Sequence, residues 1–260
     1  MKVALSIAGS DSSGGAGIQA DLAVFRDMGV YGVCAVTTVL AESSTGVGKI
    51  CKVPPRVVTA QIDAVARDFE IGACKIGVLY SARVVNLVAE RIHRRGIPNV
   101  VLDPVMGAKH GEVLLTPQAR KRLVRALLPK VTLVTPNAHE AEALTGIAVH
   151  NVEDARNAAR ALIDMGPRCA LVKGGHIDGE PVDVFYDGTD FHEYSGSRSE
   201  KNMHGTGCVL SSAIAAQLAL GRDIRGAVGS AKEYVSQAIE SAVRLGKGGL
   251  HFYHGSGFGR

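Results

Sequence analysis

Short apolar runs rich in β-branched residues alternate with amphipathic helical runs along almost the whole chain. No other feature narrows the fold as much. Residues 3–8, 32–39, 73–79, 100–102, 131–134 and 170–172 read as strands. Residues 19–28, 55–68, 82–95, 117–128, 140–144 and 152–165 carry apolar side chains at helical spacing. Pro54-Pro55 opens one helix, and Gly29 and Gly96 close two others. Segments 183–186 and 191–194 flank Asp187-Gly188 as a hairpin would. Two more helices are expected at 209–220 and 224–245, before a tail, 246–260, rich in glycine and aromatic residues. Such alternation predicts an α/β fold, a three-layer α/β/α sandwich around a mostly parallel sheet. No composition shift, low-complexity segment or internal repeat divides residues 1–260, so one domain is expected.

Composition agrees with a buried sheet: 46% of residues are hydrophobic and 21% charged. The formal charge of +4 comes without a basic run or aromatic ladder. It suits a small anionic ligand and gives no sign of a nucleic-acid partner. The first eight residues are too short for a signal core or a membrane span, so no membrane partner is expected. The five cysteines are widely spread and contain no CxxC pair, which argues against a disulfide framework or a zinc site and for a reducing cytoplasm. Cys34, Cys51, Cys74 and Cys169 lie in apolar, strand-like surroundings and read as core. His110, His150, His192, His251 and His254 lack metal-ligand spacing and read as surface or turn residues.

In parallel α/β sheets, ligands bind beyond the carboxyl ends of the strands. The unusual residues of this chain stand at those ends. Gly9-Ser10-Asp11 begins a glycine- and serine-rich loop through Gly17, suited to a close-packed polar ligand or to a flexible turn. It is not a P-loop, since no Gly-Lys-Ser/Thr follows. Asp103-Pro104-Val105-Met106 offers a carboxylate for Mg²⁺ or a simple turn, with Lys109 near enough in sequence to neutralise phosphate. Asn137 can cap the next helix, and Glu140 falls in its first turn. Lys173-Gly174-Gly175 sets a cation and two glycines at a further strand end.

The sharpest motif is His204-Gly205-Thr206-Gly207-Cys208, with a helix immediately after it. Its glycines let the backbone approach a ligand, and the helix start adds free N–H donors and the positive dipole end. Together they predict a site for a phosphate or for charge on a phosphoryl group in transit. Cys208 sits where a helix terminus favours a thiolate. Alone, the motif reads better as a turn with a buried cysteine; the rest of the chain reverses that.

As an ordered set, these segments resemble the ribokinase-like superfamily. Within it they resemble the hydroxymethylpyrimidine/phosphomethylpyrimidine kinases of thiamine synthesis. The resemblance rests on IAGSDSSGGAGIQAD (7–21), KIGVL (75–79), VLDPVMGAK (101–109), VTPNAHEAEAL (134–144), LVKGGH (171–176), NMHGTGCVLSSAIAA (202–216) and GKGG (246–249). It implies a ribokinase-like sandwich that uses ATP and Mg²⁺ to phosphorylate 4-amino-5-hydroxymethyl-2-methylpyrimidine, and in many members its monophosphate. Carried over residue by residue, it implies that Gly9, Asp11, Asp21, Glu42, Val78, Val105, Met106 and Lys109 surround the ring substrate. It places Asn137, Lys173, Gly174, Gly175 and His204 on the nucleotide, and Asp103 and Glu140 near Mg²⁺. Gly205, Thr206 and Gly207 fall at the anion hole, and Cys208 at the position of the catalytic base. The expected setting is a cytoplasmic homodimer acting on ATP and a small molecule.

The chain departs from the family at Ala41-Glu42-Ser43-Ser44, where Ala-Gln-Asn-Thr is usual. A glutamine both donates and accepts, whereas an ionised glutamate only accepts. Glu42 could therefore pair with an exocyclic amine or signal another heterocycle. The rival readings are a pyridoxal kinase sharing this cysteine signature, a hydrolase using Cys208 and His204, and a nucleotide-binding regulator without turnover.

Overall fold

A computed structural model of the chain describes residues 1–108, 111–175, 181–196 and 205–252. Among the described residues nine strands form one sheet: β1 (Val3–Asp11), β2 (Tyr31–Ser43), β3 (Gly46–Lys52), β4 (Ile71–Ile76), β5 (Val100–Leu102), β6 (Leu133–Val134), β7 (Cys169–Val172), β8 (Val182–Tyr186) and β9 (Phe191–Ser195). Their spatial order is β3-β2-β1-β4-β5-β6-β7-β8-β9. The six strands from β2 to β7 run parallel, and antiparallel partners close both edges. Eight α-helices among the described residues accompany the sheet: α1 (Gly17–Asp27), α2 (Pro55–Asp68), α3 (Ala82–Arg95), α4 (Pro117–Arg122), α5 (Ala138–Thr145), α6 (Val152–Asp164), α7 (Thr206–Ala219) and α8 (Ile224–Glu240). A short antiparallel pair, β10 (Val243–Arg244) and β11 (Leu250–His251), follows them.

Central strands bury both faces, so their side chains alternate between two cores. Leu5 and Ile7 of β1 join Cys74 and Ile76 of β4 in the core under α2 to α6. Ala4 and Ala73 face the other side, with Phe25 of α1 and the apolar residues of α7 and α8. Ten of the fourteen residues of α7 are buried, and its motif therefore sits on a rigid core helix. Local signals set the helix ends. Ser81 accepts from the Val84 N–H at the start of α3, and Gly96 ends it in the left-handed region at φ 59°.

Several expectations change. The strand expected at 3–8 continues to Asp11, because Ser10 and Asp11 keep pairing with Val39 and Leu40. β2 runs on to Ser43 and turns back as β3, a hairpin the sequence reading missed. The helix expected at 117–128 loosens into a π-helical stretch at Leu123–Leu127. The last helix stops at Glu240, and β10 occupies part of the stretch assigned to it. Cys74 and Cys169 are core residues, but Cys51 is exposed on the edge strand β3 and Cys34 is half-buried in the part of β2 that β3 does not cover. His251, expected at the surface, is buried. His110 and His254 lie outside the described residues.

Candidate active site

Beyond the carboxyl ends of the parallel strands lies a cavity of about 570 Å³. The start of α7 forms one wall. Gly205, at φ 81°, precedes the helix and supplies no capping side chain, so among the described residues none caps the backbone of 206–208, which lines the cavity. Gly207 is closely packed: a Cβ there would lie 3.2 Å from Lys173 Nζ and 3.3 Å from Asp103 Oδ2. The expected anion hole is thus pressed directly against charged side chains from two other strand ends.

Those side chains form one cluster. Lys173 Nζ donates to Asp103 Oδ1 at 2.9 Å and lies 3.9 Å from Glu140 Oε2. Asn137 and Glu140 make a capping box: Glu140 N–H donates to Asn137 Oδ1 at 2.9 Å, and Asn137 N–H donates to Glu140 Oε2 at 2.8 Å. Burial pushes the Glu140 carboxyl up to about 7, against the pull of Lys173; Asp103 adds to the rise. Burial also opposes the charge on Lys173, yet Asp103 and Glu140 hold its ammonium above the usual lysine range. Two oxygen donors beside uncapped N–H groups suit a hard cation that keeps waters and phosphate oxygens in its shell. The residues therefore fit Mg²⁺.

Cys208 lines the cavity, but the thiolate expected there is not the resting form. Burial pushes its thiol up to about 11. Lys75 works against that rise, Asp21 and Asp103 add to it, and the Gly17 N–H lowers it slightly. The helix terminus does not outweigh desolvation beside two carboxylates.

The opposite wall is apolar. Leu40, Val78 and Leu114 are buried together, with Val105 and Ala108 packed against them. Gly9 and Asp11 of β1 line the same space. Asp11 also shapes its loop: Oδ1 accepts from Ser13 N–H at 2.7 Å, and Oδ2 accepts from Ala16 N–H at 2.8 Å. Glu42 lines the cavity from the β2–β3 hairpin and is half-buried. Its backbone is bonded both ways to Ser12: the Glu42 N–H donates to Ser12 Oγ at 2.8 Å, and Ser12 Oγ donates to Glu42 O at 2.6 Å. At the hairpin tip, Gly248 N–H donates to Ser44 Oγ at 3.0 Å.

Four expected contacts fall elsewhere. Asp21 is fully buried on α1 and is not part of the cavity wall. Its carboxylate accepts from Lys75, Ser6 and Ser212, which occupy its acceptor positions. Met106 packs its side chain on the core and contributes its N–H to Glu140 instead. Gly174 and Gly175 form the turn after β7, where Gly174 N–H donates to Asp183 Oδ1 at 2.8 Å. Lys109 and His204 lie outside the described residues. The sequence reading gave no role to Leu40, Lys75, Leu114 or His139, all of which line the cavity. Only Lys75 carried a signal, a lone cation inside an apolar strand.

A parallel sheet with an uncapped helix start, a lysine–carboxylate cluster and a facing apolar wall defines a small-molecule phosphotransferase of the ribokinase-like kind. The comparisons with known proteins agree. The phosphomethylpyrimidine kinase family model matches residues 11–252, and the chain belongs to that family. It is 45% identical over 260 residues to the hydroxymethylpyrimidine/phosphomethylpyrimidine kinase of Rhizobium meliloti strain 1021, covering 97% of each chain. The crystal structure of phosphomethylpyrimidine kinase from Clostridium difficile 630 superposes with a TM-score of 0.83 at 40% identity, over 92% of this chain and 100% of that one. An ADP complex of Bacillus subtilis pyridoxal kinase superposes with a TM-score of 0.91 at 33% identity, over 98% and 97%. Among the described residues, no helix is long and apolar enough to cross a membrane.

Proposed function

We propose that this kinase transfers the γ-phosphoryl group of ATP to the hydroxymethyl oxygen of 4-amino-5-hydroxymethyl-2-methylpyrimidine, and then phosphorylates the monophosphate. One observation carries the reading. A single cavity joins an apolar wall, with Glu42 at its edge, to the uncapped start of α7 and the Lys173–Asp103–Glu140 cluster. The ring lies on Leu40, Val78 and Leu114, and Glu42 meets its amino group. The triphosphate lies along residues 205–208 and Lys173. Asp103 and Glu140 would hold Mg²⁺, which neutralises phosphate charge when bound.

In the reaction a P–O bond forms to the alcohol oxygen as the bond to ADP breaks. Backbone N–H groups of 206–208 stabilise charge on the transferring group. The alcohol proton leaves to Cys208 in its thiolate form. That form is scarce at neutral pH, so most of the rate comes from positioning and electrostatics. The raised thiol also speaks against a cysteine-nucleophile hydrolase.

Pyridoxal phosphorylation is the second reading, favoured by the likeness to the Bacillus subtilis enzyme. The test is an ADP-release screen with the pyrimidine alcohol, its monophosphate and pyridoxal as acceptors. The first two should turn over with the higher kcat/KM. Preference for pyridoxal would reverse the assignment, and ATP binding without turnover on any acceptor would leave a regulator.

A further inference from the structure

Lys75 is an anomaly of the sheet. It lies on β4, next to β1 in register with Ser6, and its side chain is fully buried. Its Nζ donates to both oxygens of Asp21, at 2.7 and 2.8 Å. Two hydroxyls complete the network. Ser6 Oγ of β1 donates to Asp21 Oδ2 at 2.5 Å, and Ser212 Oγ of α7 donates to Oδ1 at 2.7 Å. Four elements therefore meet at one carboxylate.

Two features turn this network toward the cavity. Ser212 is four residues after Cys208, on the same face of α7, so Asp21 holds the helix one turn from the thiol. Lys75 itself reaches the cavity wall, whereas Asp21 does not. The pair is thus a buried dipole with its positive end toward the cavity. Gly77 leaves the space this needs, since a Cβ there would lie 3.0 Å from Lys75 Nζ. Replacing a buried ion pair by apolar side chains of the same volume is often neutral or stabilising. Stability alone does not account for the pair.

We propose that Asp21 and Lys75 are positioning residues of the phosphoryl transfer: Asp21 ties the start of α7 to the sheet through Ser212 and presents the Lys75 ammonium to Cys208. This rests on the kinase reading above. Of the pair, Lys75 acts on the Cys208 thiol in the direction that favours its ionised form, and more strongly than Asp21 acts against it.

Removing one partner strands a buried charge and can unfold the chain. The first test variant is therefore the double substitution Asp21→Leu/Lys75→Met, and the second is Ser212→Ala, which keeps both charges and cuts the tie to α7. Each is measured for kcat, for KM of ATP and of the ring alcohol, and for the rate of Cys208 alkylation by iodoacetamide without substrates. In the folded double variant kcat should fall about 100-fold, within the range for losing acid–base assistance, while KM for ATP stays within about threefold. Cys208 alkylation should slow at fixed pH, because the favourable pull of Lys75 is larger than the opposing push of Asp21 that is lost with it. In Ser212→Ala, kcat should fall about tenfold with KM for ATP unchanged. A folded double variant with wild-type kcat and alkylation would overturn the proposal. If the double variant does not fold, wild-type kcat and alkylation in Ser212→Ala overturn it. Failure of the kinase reading would show separately, as a wild-type protein without ATP-dependent turnover, and the alkylation rates would still report on the pair.

Discussion

Gly205 meets Gly15 backbone to backbone: a side-chain carbon at 205 would collide with the carbonyl oxygen of Gly15. The glycine-rich loop after β1 and the start of α7 are therefore packed directly against each other beside the cavity. Neither could move without displacing the other.

This contact makes Gly205→Ala a sharp test. Alanine at φ 81° costs about 1–2 kcal/mol in backbone strain, and the collision adds a displacement of the helix start. We expect kcat to fall about 10²–10³-fold, the usual effect of losing an oxyanion donor. Gly188→Ala is the control. It has φ 96° but open space around it, on a hairpin remote from the cavity. It should lose a few degrees of Tm and no activity. Equal losses of activity in the two variants would reduce Gly205 to a generic turn residue.

Asp103 and Glu140 are expected to set the divalent-cation requirement. Both lie within reach of Lys173, and both line the cavity beside the uncapped N–H groups. Asp103→Asn or Glu140→Gln should raise the Mg²⁺ concentration for half-maximal rate about 10–100-fold. Unchanged titrations in both variants would leave the carboxylates as partners of Lys173 and of the α5 cap.

Glu140 also predicts a pH dependence of stability. Its carboxyl is raised from 4.5 to about 7 in the folded chain, so the folded state binds the proton more tightly than the unfolded state. The stabilisation is complete below about 4.5 and is lost as pH rises through about 7. Glu140→Gln cannot titrate. The Tm of the wild type relative to this variant should therefore fall between those pH values in metal-free buffer. A constant difference would mean that Lys173 keeps Glu140 ionised throughout.

Thiol labelling should separate the cysteines by position. Cys51 is exposed and should react first with iodoacetamide at pH 8. Cys208 lines the cavity but is pushed up to about 11, so its labelling should be slow at pH 8 and climb steadily to pH 10. Cys74 is fully buried and should stay unlabelled in the folded protein. Peptide mass spectrometry gives the order directly, and early labelling of Cys208 would restore a resting thiolate.

Much of this site was legible because parallel strands display their ends in one layer. Asp103, Asn137 and Lys173 each follow an apolar run, and the sheet order brings those runs side by side. The capping box at Asn137 and Glu140 was readable from spacing alone. What escaped depended on register and burial. The β2–β3 hairpin has no strong alternation, being held by pairing to β2 and by contacts from Ser12 and Gly248. Asp21 looked like a ligand contact until the fold showed three side chains already donating to it. The ionisation of Cys208 needed the positions of Asp21, Lys75 and Asp103, which lie far apart in sequence.

Glu42 stands where the motif resemblance implies a glutamine, and the hairpin that carries it is pinned from two sides. Ser12 bonds its backbone, and the Gly246–Gly248 segment packs on Ser44 at the tip. A residue held this firmly at the cavity edge can discriminate between rings by what its side chain accepts. The carboxylate is half-buried, so it gains more from a donor on the substrate than an exposed one would. The aminopyrimidine offers an exocyclic amine and, when protonated, a ring N–H; pyridoxal offers a poorer match at that edge. Glu42→Gln keeps the shape but adds a donor and removes the charge. It should leave kcat within about threefold and change the ratio of kcat/KM for the aminopyrimidine to that for pyridoxal by about tenfold, the worth of one charged hydrogen bond. Shortening the chain before Gly246 should shift the same ratio by loosening the hairpin, with Glu42 intact. If neither variant moves the ratio, ring selectivity lies with Val78, Val105 and Leu114, and the glutamate only decorates the rim.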